Sequence, residues 1–220
     1  GCKKRAKSKT VGHRGDMRRR LMRAAYEIMA RRGFDGFVVQ DVTEAAGVSH
    51  GSFYNYFTSK EAIASAVVEA ARERMAKLFV RNSPPDDSAA ALATDLRRWL
   101  HTSQLDPEWG WFALRAALAD LRLALAAPLE TAIAAGIAEG TFHAPDAKMA
   151  HESVHGLVFL ATLKIISSSA EADYPEKVVA TCLGVLGVPD DRIEALMAMP
   201  LPPIAVDTFL EPSPDESDYA

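Results

Sequence analysis

The apolar residues of this chain recur with the spacing of an α-helix over most of its length. Leu21, Ala25 and Ile28 lie three or four positions apart, as on one face of a 3.6-residue period. Short apolar pairs such as Val38-Val39 do not alternate long enough to form strands. The pattern predicts an all-α protein with helices over 17–32, 40–46, 50–57, 60–80, 90–105, 107–127, 129–139, 147–168 and 175–186.

Composition along the chain divides it into four parts. Residues 1–15 are rich in Lys and Arg and poor in large apolar groups, which predicts a flexible basic arm. Short helices predict a three-helix head over 16–60, and longer ones predict a helical body over 61–199. Prolines and acids over 200–220 predict a disordered tail.

The net charge of -4 conceals a strong asymmetry. Up to Lys60 the chain has 13 Lys and Arg against 5 Asp and Glu, or +8, so the remainder carries -12. A basic head on an acidic body favours binding to a polyanion. No apolar run is long enough to cross a bilayer, and Cys2 and Cys182 form no recognisable metal or disulfide framework. We expect a cytoplasmic protein with no membrane partner, no cofactor and no enzymatic activity.

The segment from Ala45 to Ser49 has the features of a helix-turn-helix. Gly47 can adopt the positive φ of a sharp turn at little cost, and Val48 can cover the core beneath the turn. Ser49 can cap the second helix and leave its first residues facing DNA. Polar and aromatic side chains on that helix can reach base edges or phosphates, and we expect Tyr54 and Tyr56 to divide between DNA contact and core packing.

These residues resemble the TetR family of transcriptional regulators. The resemblance covers about Arg18 to Ala70, and it is specific because many matched positions occur without a gap. The matched residues are Gly33-Phe34, Val39, Asp41-Val42, Ala45-Ala46-Gly47-Val48-Ser49, Gly51-Ser52-Phe53-Tyr54, Tyr56-Phe57 and Ser59-Lys60-Glu61.

The resemblance implies a DNA-binding head, a connecting helix and an α-helical ligand-binding and dimerisation body. It also implies a dimeric repressor that leaves a palindromic operator when a small, largely apolar or aromatic effector binds; an activator is the alternative. The family often has Ser or Thr before the first helix of the motif, where this chain has Phe37-Val38, so the basic arm is expected to compensate. Carried over by position, the DNA-binding residues are Gln40, Ser49, His50, Gly51, Ser52, Tyr54, Asn55, Tyr56 and Lys60.

The helix over 147–168 is apolar on nearly every face, which predicts burial on more than one side. Together with the helix over 175–186 it resembles the pair that forms the family's four-helix dimer interface. A central core helix in a monomer is the alternative. The predicted interface residues are Val154, Leu157, Val158, Ala161, Val178, Cys182 and Val185.

Aromatic residues concentrate in the middle helices, near several polar side chains. Such a set fits a ligand cavity, although aromatic residues at helical spacing also fit an ordinary core. The candidate ligand-binding residues are Trp99, Trp109, Trp111, Phe112, Arg115, His151, His155 and Phe159.

A competing motif overlaps this set. His151-Glu152-Ser153-Val154-His155 matches the H-E-x-x-H pattern of zinc peptidases, in which two histidines bind zinc and the glutamate acts as base. Glu171 or Glu176 would have to supply a third ligand. We therefore keep a metal-dependent hydrolase as the second hypothesis, and a histidine pair that lines the pocket or the interface as the first.

Overall fold

The structure is a computed structural model that describes residues 3–78, 87–119, 126–167, 170–204 and 209–210. Within these residues it contains α-helices and no strand, which confirms the predicted all-α class. The helices are α1 (Lys3–Arg32), α2 (Val39–Ala46), α3 (His50–Phe53), α4 (Lys60–Leu78), α5 (Ser88–Leu105), α6 (Pro107–Leu118), α7 (Ala126–Ala138), α8 (Ala147–Ser167), α9 (Tyr174–Val185) and α10 (Asp190–Ala198).

The chain divides into two compact units. The first, here called the head, comprises residues 1–71 and 207–220, and the second, the body, comprises residues 72–206. The predicted boundary after residue 60 therefore differs from the observed one, because the first half of α4 packs with the head. No helix among the described residues has the length and apolarity needed to span a membrane.

The head has a small apolar core to which all four of its helices contribute. Bulky aromatic and aliphatic side chains fill it, so helices too short to be stable alone are held by packing. Its fully or nearly fully buried side chains include Leu21, Ala25, Met29, Phe37, Val42, Phe53, Phe57, Ile63 and Val67.

The body is organised around α8, which packs against α5, α6, α7 and α9. Asp87 and Asp106 cap α5 and α6 by accepting the backbone N–H groups of Ala90 and Trp109, both at 2.9 Å. Such caps satisfy donors that have no partner within the helix. The Trp99 indole donates to the Thr162 hydroxyl at 2.9 Å, so this buried ring is fixed in the core.

The structure corrects several predicted elements. The residues predicted as a flexible arm form the first part of α1, since Lys, Arg and Ala are good helix formers. Pro128 does not end a helix but lies in the first turn of α7, where a missing N–H is harmless. α10 was not predicted, although Pro189 followed by two aspartates is typical of a helix start.

Two further predictions concern the chain near its gaps. The predicted loop over 82–87 and the ends of the helices predicted to reach 80 and 168 lie largely outside the described residues. The predicted tail over 200–220 is wrong at Phe209, which is buried in the head. Its ring lies 4.7 Å from that of Tyr26, and burial of this apolar surface holds it there.

Candidate nucleic-acid interface

α2 begins without a side-chain cap from its preceding residue. Val38 occupies the cap position in an extended conformation, and Asp41 reaches back to accept the Val38 backbone N–H at 3.2 Å. The Arg32 guanidinium lies 3.4 Å from the same carboxylate. Asp41 thus supplies its own half of a capping box, but the apolar Val38 side chain can neither accept a backbone N–H of α2 nor hydrogen-bond to a phosphate.

The turn between α2 and α3 depends on Gly47. Its φ of 64° and ψ of 40° lie in the left-handed region, which glycine adopts without the usual Cβ penalty. The Val48 N–H donates to the Thr43 carbonyl at 2.9 Å, and Arg20 of α1 donates to the Ala46 carbonyl at 2.7 Å. The end of α2 is therefore closed by the turn and by a cation from α1.

α3 begins at a serine cap and is only four residues long. Ser49 Oγ accepts the Ser52 backbone N–H at 3.2 Å, as the sequence predicted. The predicted helix to residue 57 is too long, since turns follow Phe53. Phe53 is fully buried and packs edge-on against Tyr54, with 5.3 Å between ring centroids. This anchor presents the other side of α3 to solvent.

The predicted DNA-contacting residues are all at least partly exposed to solvent. Tyr54 is 52% exposed and Tyr56 is half-buried, so Tyr54 is the better placed of the two to reach DNA. Phe53 and Phe57 on the opposite side are buried. The exposed members are Gln40, Ser49, His50, Gly51, Tyr54 and Asn55, and the half-buried ones are Ser52, Tyr56 and Lys60.

Gln40 and Lys60 both have protein partners. Gln40 Nε2 donates to the Glu44 carboxylate at 2.8 Å. Lys60 Nζ donates to the Asp35 carbonyl at 3.3 Å and lies 4.7 Å from the centre of the Phe37 ring. An ammonium group has three donors, so these contacts orient Lys60 and leave capacity for a phosphate.

The start of α4 carries an acid beside this lysine. Ser59 Oγ accepts the Ala62 backbone N–H at 3.2 Å, which caps the helix. The pKa of Glu61 lies below its ordinary value because its own backbone N–H and the Ser59 hydroxyl hydrogen-bond to the carboxylate. Glu61 therefore keeps its charge at neutral pH and limits how strongly this end of the head attracts anions.

Sequence reasoning missed two structural supports of the motif. Arg20 and Asp41 fix the two ends of α2, yet neither role has a local sequence signal beyond the residue type. Asp41 at the third position of a helix is typical of a residue that bonds back to the cap, and this spacing could have found it. The contact between Arg20 and Ala46 joins residues far apart in sequence and could not be predicted locally.

The comparisons with known proteins agree with this geometry. Residues 21–67 match the model for bacterial regulatory proteins of the tetR family, a range that includes the turn, both motif helices and the start of α4. The head of this chain is therefore similar to the DNA-binding domain of tetR-family regulators. The motif residues quoted in the sequence analysis all lie within the matched range.

Curated relatives match about a quarter of the chain. The repressor DhaR from Mycobacterium sp. (strain GP1) is 43% identical over 56 residues, which are 26% of this chain and 28% of DhaR. The repressor NemR from Escherichia coli (strain K12) is 39% identical over 54 residues, which are 24% of this chain and 27% of NemR. The chain thus matches little more than a quarter of the length of these relatives.

A solved structure extends the similarity into the body. The crystal structure of RolR in complex with resorcinol is 29% identical, with a TM-score of 0.63, and the match covers 89% of this chain and all of that one. A fatty acid degradation regulator, FadR from Bacillus halodurans, is 18% identical with a TM-score of 0.59 over 76% of this chain, which shows the fold alone.

The predicted dimer-interface set needs correction. Val154, Val158, Ala161 and Cys182 are buried within the chain itself, because α8 and α9 turn these residues toward the body's own core. Burial raises the pKa of the Cys182 thiol to about 12. Val178 is also buried, whereas Leu157 is half-buried and Val185 is 43% exposed. Apolarity on all faces therefore did not identify the outward face.

The predicted pocket set falls into two groups. Trp99, Trp109 and Phe112 are buried and pack on one another, with ring centroids 6.5 Å and 6.0 Å apart. Trp111, Arg115 and Phe159 are half-buried, and the Arg115 guanidinium lies 5.3 Å from the Trp111 ring centre. The first group behaves as core, and the second has surface left to offer a ligand.

His151 and His155 form a stacked pair on α8. Their rings lie 5.7 Å apart and 8° from parallel, and buried His151 Nε2 has no hydrogen-bond partner among the described residues. Burial and the neighbouring His151 lower the pKa of His155. His155 is therefore held mainly neutral near pH 7.

The zinc hypothesis lacks the third ligand that it requires. Glu152 is exposed and lies 3.9 Å from Lys148, while Glu176 accepts from His101 at 2.8 Å and faces Arg97 at 3.6 Å. Within the described ranges, no group of three His, Cys, Asp or Glu side chains could hold a metal ion. The similarity to DNA-binding regulators also disfavours the hydrolase.

Proposed function

We propose that this chain is a transcriptional repressor that binds a palindromic operator as a homodimer. The proposal rests on the exposed face of the helix-turn-helix, which carries polar and aromatic side chains. Phe53 on the opposite side of α3 is buried and fixes this helix in the head. The charge of the first 60 residues suits the phosphate backbone. Two curated relatives of the head are repressors, which favours repression over activation.

The dimer surface that we propose lies on the outward face of α8 and α9. Leu160 is 63% exposed, and Val185 is exposed on the neighbouring helix. A Cβ added at Gly156 or Gly184 would meet nothing within 4 Å, so no side chain in the described part of the chain covers these positions. An apolar surface with small residues suits close packing against an identical surface across a twofold axis.

The effector that we propose is a small hydroxylated aromatic compound, for which resorcinol is the first candidate. RolR, whose structure contains resorcinol, is similar to this chain over nearly all of its length. The unpartnered His151 Nε2 is a buried polar atom, and leaving it so costs about 1–3 kcal/mol. A phenolic hydroxyl that hydrogen-bonds to this nitrogen would relieve that cost.

In-vitro selection from random duplexes tests the DNA-binding part of the proposal. We expect enrichment of a sequence with two inverted half-sites, because a symmetric dimer presents two equivalent heads. The matched control is Tyr54→Ala, which removes a side chain from the exposed face and should reduce the enrichment. Sequencing that finds no common motif after selection would refute the proposed function.

Quenching of tryptophan fluorescence tests the effector, since all three tryptophans lie in the body. Titration with resorcinol is compared with 1,3-dimethoxybenzene, which has the same ring but no donor. We expect resorcinol to bind more tightly by about tenfold, a difference that His151→Phe should abolish. Equal binding of the two compounds to the unsubstituted protein would contradict the role given to His151.

A further inference from the structure

The head contains a cleft beside the turn of the helix-turn-helix. Its volume is about 380 Å³, and it is lined by one side of α1, the end of α2 and Leu210. Ala45 and Ala46 of α2 line it directly. A Cβ added at Gly47 would lie 3.7 Å from Arg20 Nη2, so the cleft and the turn share a side chain. Whatever fills the cleft therefore lies next to the motif.

The charges that line the cleft leave a positive excess. Three arginines face two carboxylates, with Arg19 paired to Asp16 at 3.2 Å and Arg23 to Glu27 at 2.8 Å. Arg20 donates to a backbone carbonyl and has no carboxylate partner in the described part of the chain. Its guanidinium has five donors, so it has capacity for a further anion.

Phe209 and Leu210, the last residues that the structure describes, lie at this cleft. Phe209 is 6% exposed, and Arg23 donates to its carbonyl at 2.9 Å. Leu210 lines the cleft and has a φ of 65°. A bulky residue adopts this left-handed conformation rarely and at a cost, so its surroundings must impose it. Leu210, the last residue that the structure describes, therefore lies at the rim of the cleft.

The sequence after Leu210 is complementary to the cleft in charge. Residues 211–220 contain four acidic residues and no Lys, Arg or His. Eight extended residues reach at most about 28 Å, and the first acid follows Leu210 directly, so the cleft is within reach. A tethered ligand of this kind acts at an effective concentration in the millimolar range. The acids are Glu211, Asp215, Glu216 and Asp218.

We propose that the acidic segment 211–218 docks in the cleft at Arg20 and screens the head from DNA. Carboxylates held there lie within the same small unit as the exposed face of α3, where they repel phosphates over about one Debye length, roughly 8–10 Å. The segment is then an intramolecular competitor that lowers DNA affinity and reduces its dependence on salt. The effect on DNA binding rests on the proposed function, but the docking does not.

The first test compares the full chain with a chain that ends at Leu210 and keeps Phe209. Binding to a fluorescent random duplex of about 30 base pairs is measured between about 50 and 200 mM salt. We expect the shortened chain to bind several-fold more tightly with a steeper salt slope. A variant with Glu211→Gln, Asp215→Asn, Glu216→Gln and Asp218→Asn should behave like the shortened chain.

Two controls separate docking from a general change in net charge. Neutralising four exposed acids of the body, Glu130, Glu171, Asp191 and Glu194, should have a much smaller effect. In an Arg20→Gln background, removing the segment should raise DNA affinity by less than half of the increase that its removal causes when Arg20 is present. An equal effect in both backgrounds would show that the segment acts through diffuse charge and would overturn docking at Arg20.

A measurement without DNA keeps the docking testable if the proposed function fails. The arginine Nε–Hε resonances are recorded for the full chain and for the chain that ends at Leu210, and Arg20→Gln assigns the Arg20 signal. We expect that signal to shift on truncation, with the Arg192 signal of the body as the unaffected reference. Identical Arg20 signals in both chains would overturn the proposal, whereas absence of DNA binding by every variant would refute only the proposed function and the screening.

Discussion

The turn of the helix-turn-helix depends on the backbone conformation of a single residue. Gly47 has a positive φ, and the space around it would accept a Cβ, since the nearest atom lies 3.7 Å away. Replacement by Ala would therefore cost conformational energy and would not cause a clash. The sequence predicted this position correctly because the requirement for glycine is local.

Gly47→Ala should destabilise the protein by about 1 kcal/mol, the cost of placing a side chain in the left-handed region. The thermal midpoint should fall by roughly 2–4 °C for a chain of this size. Gly51→Ala is the matched control, because a Cβ there meets nothing within 4 Å and φ is not positive. Equal midpoints for the two variants in calorimetry would contradict the role of Gly47.

Tyr54 is the residue with which we expect the head to reach DNA. Tyr54→Phe removes only the hydroxyl, and loss of a hydrogen bond to a charged phosphate should weaken operator binding by about tenfold or more. The side chain is half exposed, so the thermal midpoint should not change. Fluorescence anisotropy measures the affinity, and an unchanged value would remove Tyr54 from the interface.

His155 should make the stability depend on pH. Burial and then His151 lower its pKa from the ordinary value of 6.5, so the unfolded chain takes up this proton at a higher pH than the folded protein does. The contribution to stability is complete above about pH 6.5 and is lost as pH falls toward the lower pKa of the folded state.

Chemical denaturation of His155→Gln tests this dependence between about pH 7.5 and pH 5. The unfolding free energy of the variant should decline less over this range than that of the unsubstituted protein. His143→Gln serves as the control, since His143 is exposed. The assignment to His155 fails if both variants follow the same pH profile as the unsubstituted protein.

At the scale of elements, α8 and α9 each bury one apolar face in the core of the body and expose another apolar face to solvent. Val154 is buried, whereas Leu160, six residues further along α8 and therefore on a different face, is 63% exposed. The sequence could show that α8 must be buried on more than one side, but not which face meets the chain's own core. That choice is made by α5, α6 and α7, whose packing has no local signature in α8.

Leu160→Glu should convert the proposed dimer into a folded monomer, because it places a charge in a desolvated apolar contact. Sedimentation should give the mass of one chain at micromolar concentration, with unchanged helical content. Leu105→Glu is the control, since Leu105 is 58% exposed outside the proposed surface. A dimer that survives Leu160→Glu would locate the interface elsewhere.

Helix boundaries were predictable where capping signals are local. Ser49 and Ser59 cap α3 and α4, and Asp106 before Pro107 begins α6. Hydrophobic periodicity did not predict the helix boundaries correctly where one stretch of sequence was compatible with two structures. A basic stretch reads as a flexible arm or as a helix, and Pro128 reads as a stop or as a first-turn residue. Packing and the rest of the chain decide between these readings.

For the whole molecule, the charge asymmetry predicted a basic head, but the sequence could not show that the end of the chain returns to it. Arg23 and Phe209 are separated by 186 positions, and their contact depends on a fold that local patterns do not encode. Among the predicted DNA-contacting residues, the structure brings a polar set together around α2 and α3. The effector residues were harder to predict, because aromatic side chains have the same spacing in a core and in a pocket.

The proposed function depends most directly on sequence-specific DNA binding by the head. The decisive measurement is the affinity of the protein for its selected operator and for the same duplex with one half-site scrambled, at about 150 mM salt. We predict that scrambling weakens binding by at least about a hundredfold, because each lost base pair costs about 1–3 kcal/mol. Equal affinity for the two duplexes would contradict sequence-specific binding to a palindromic operator.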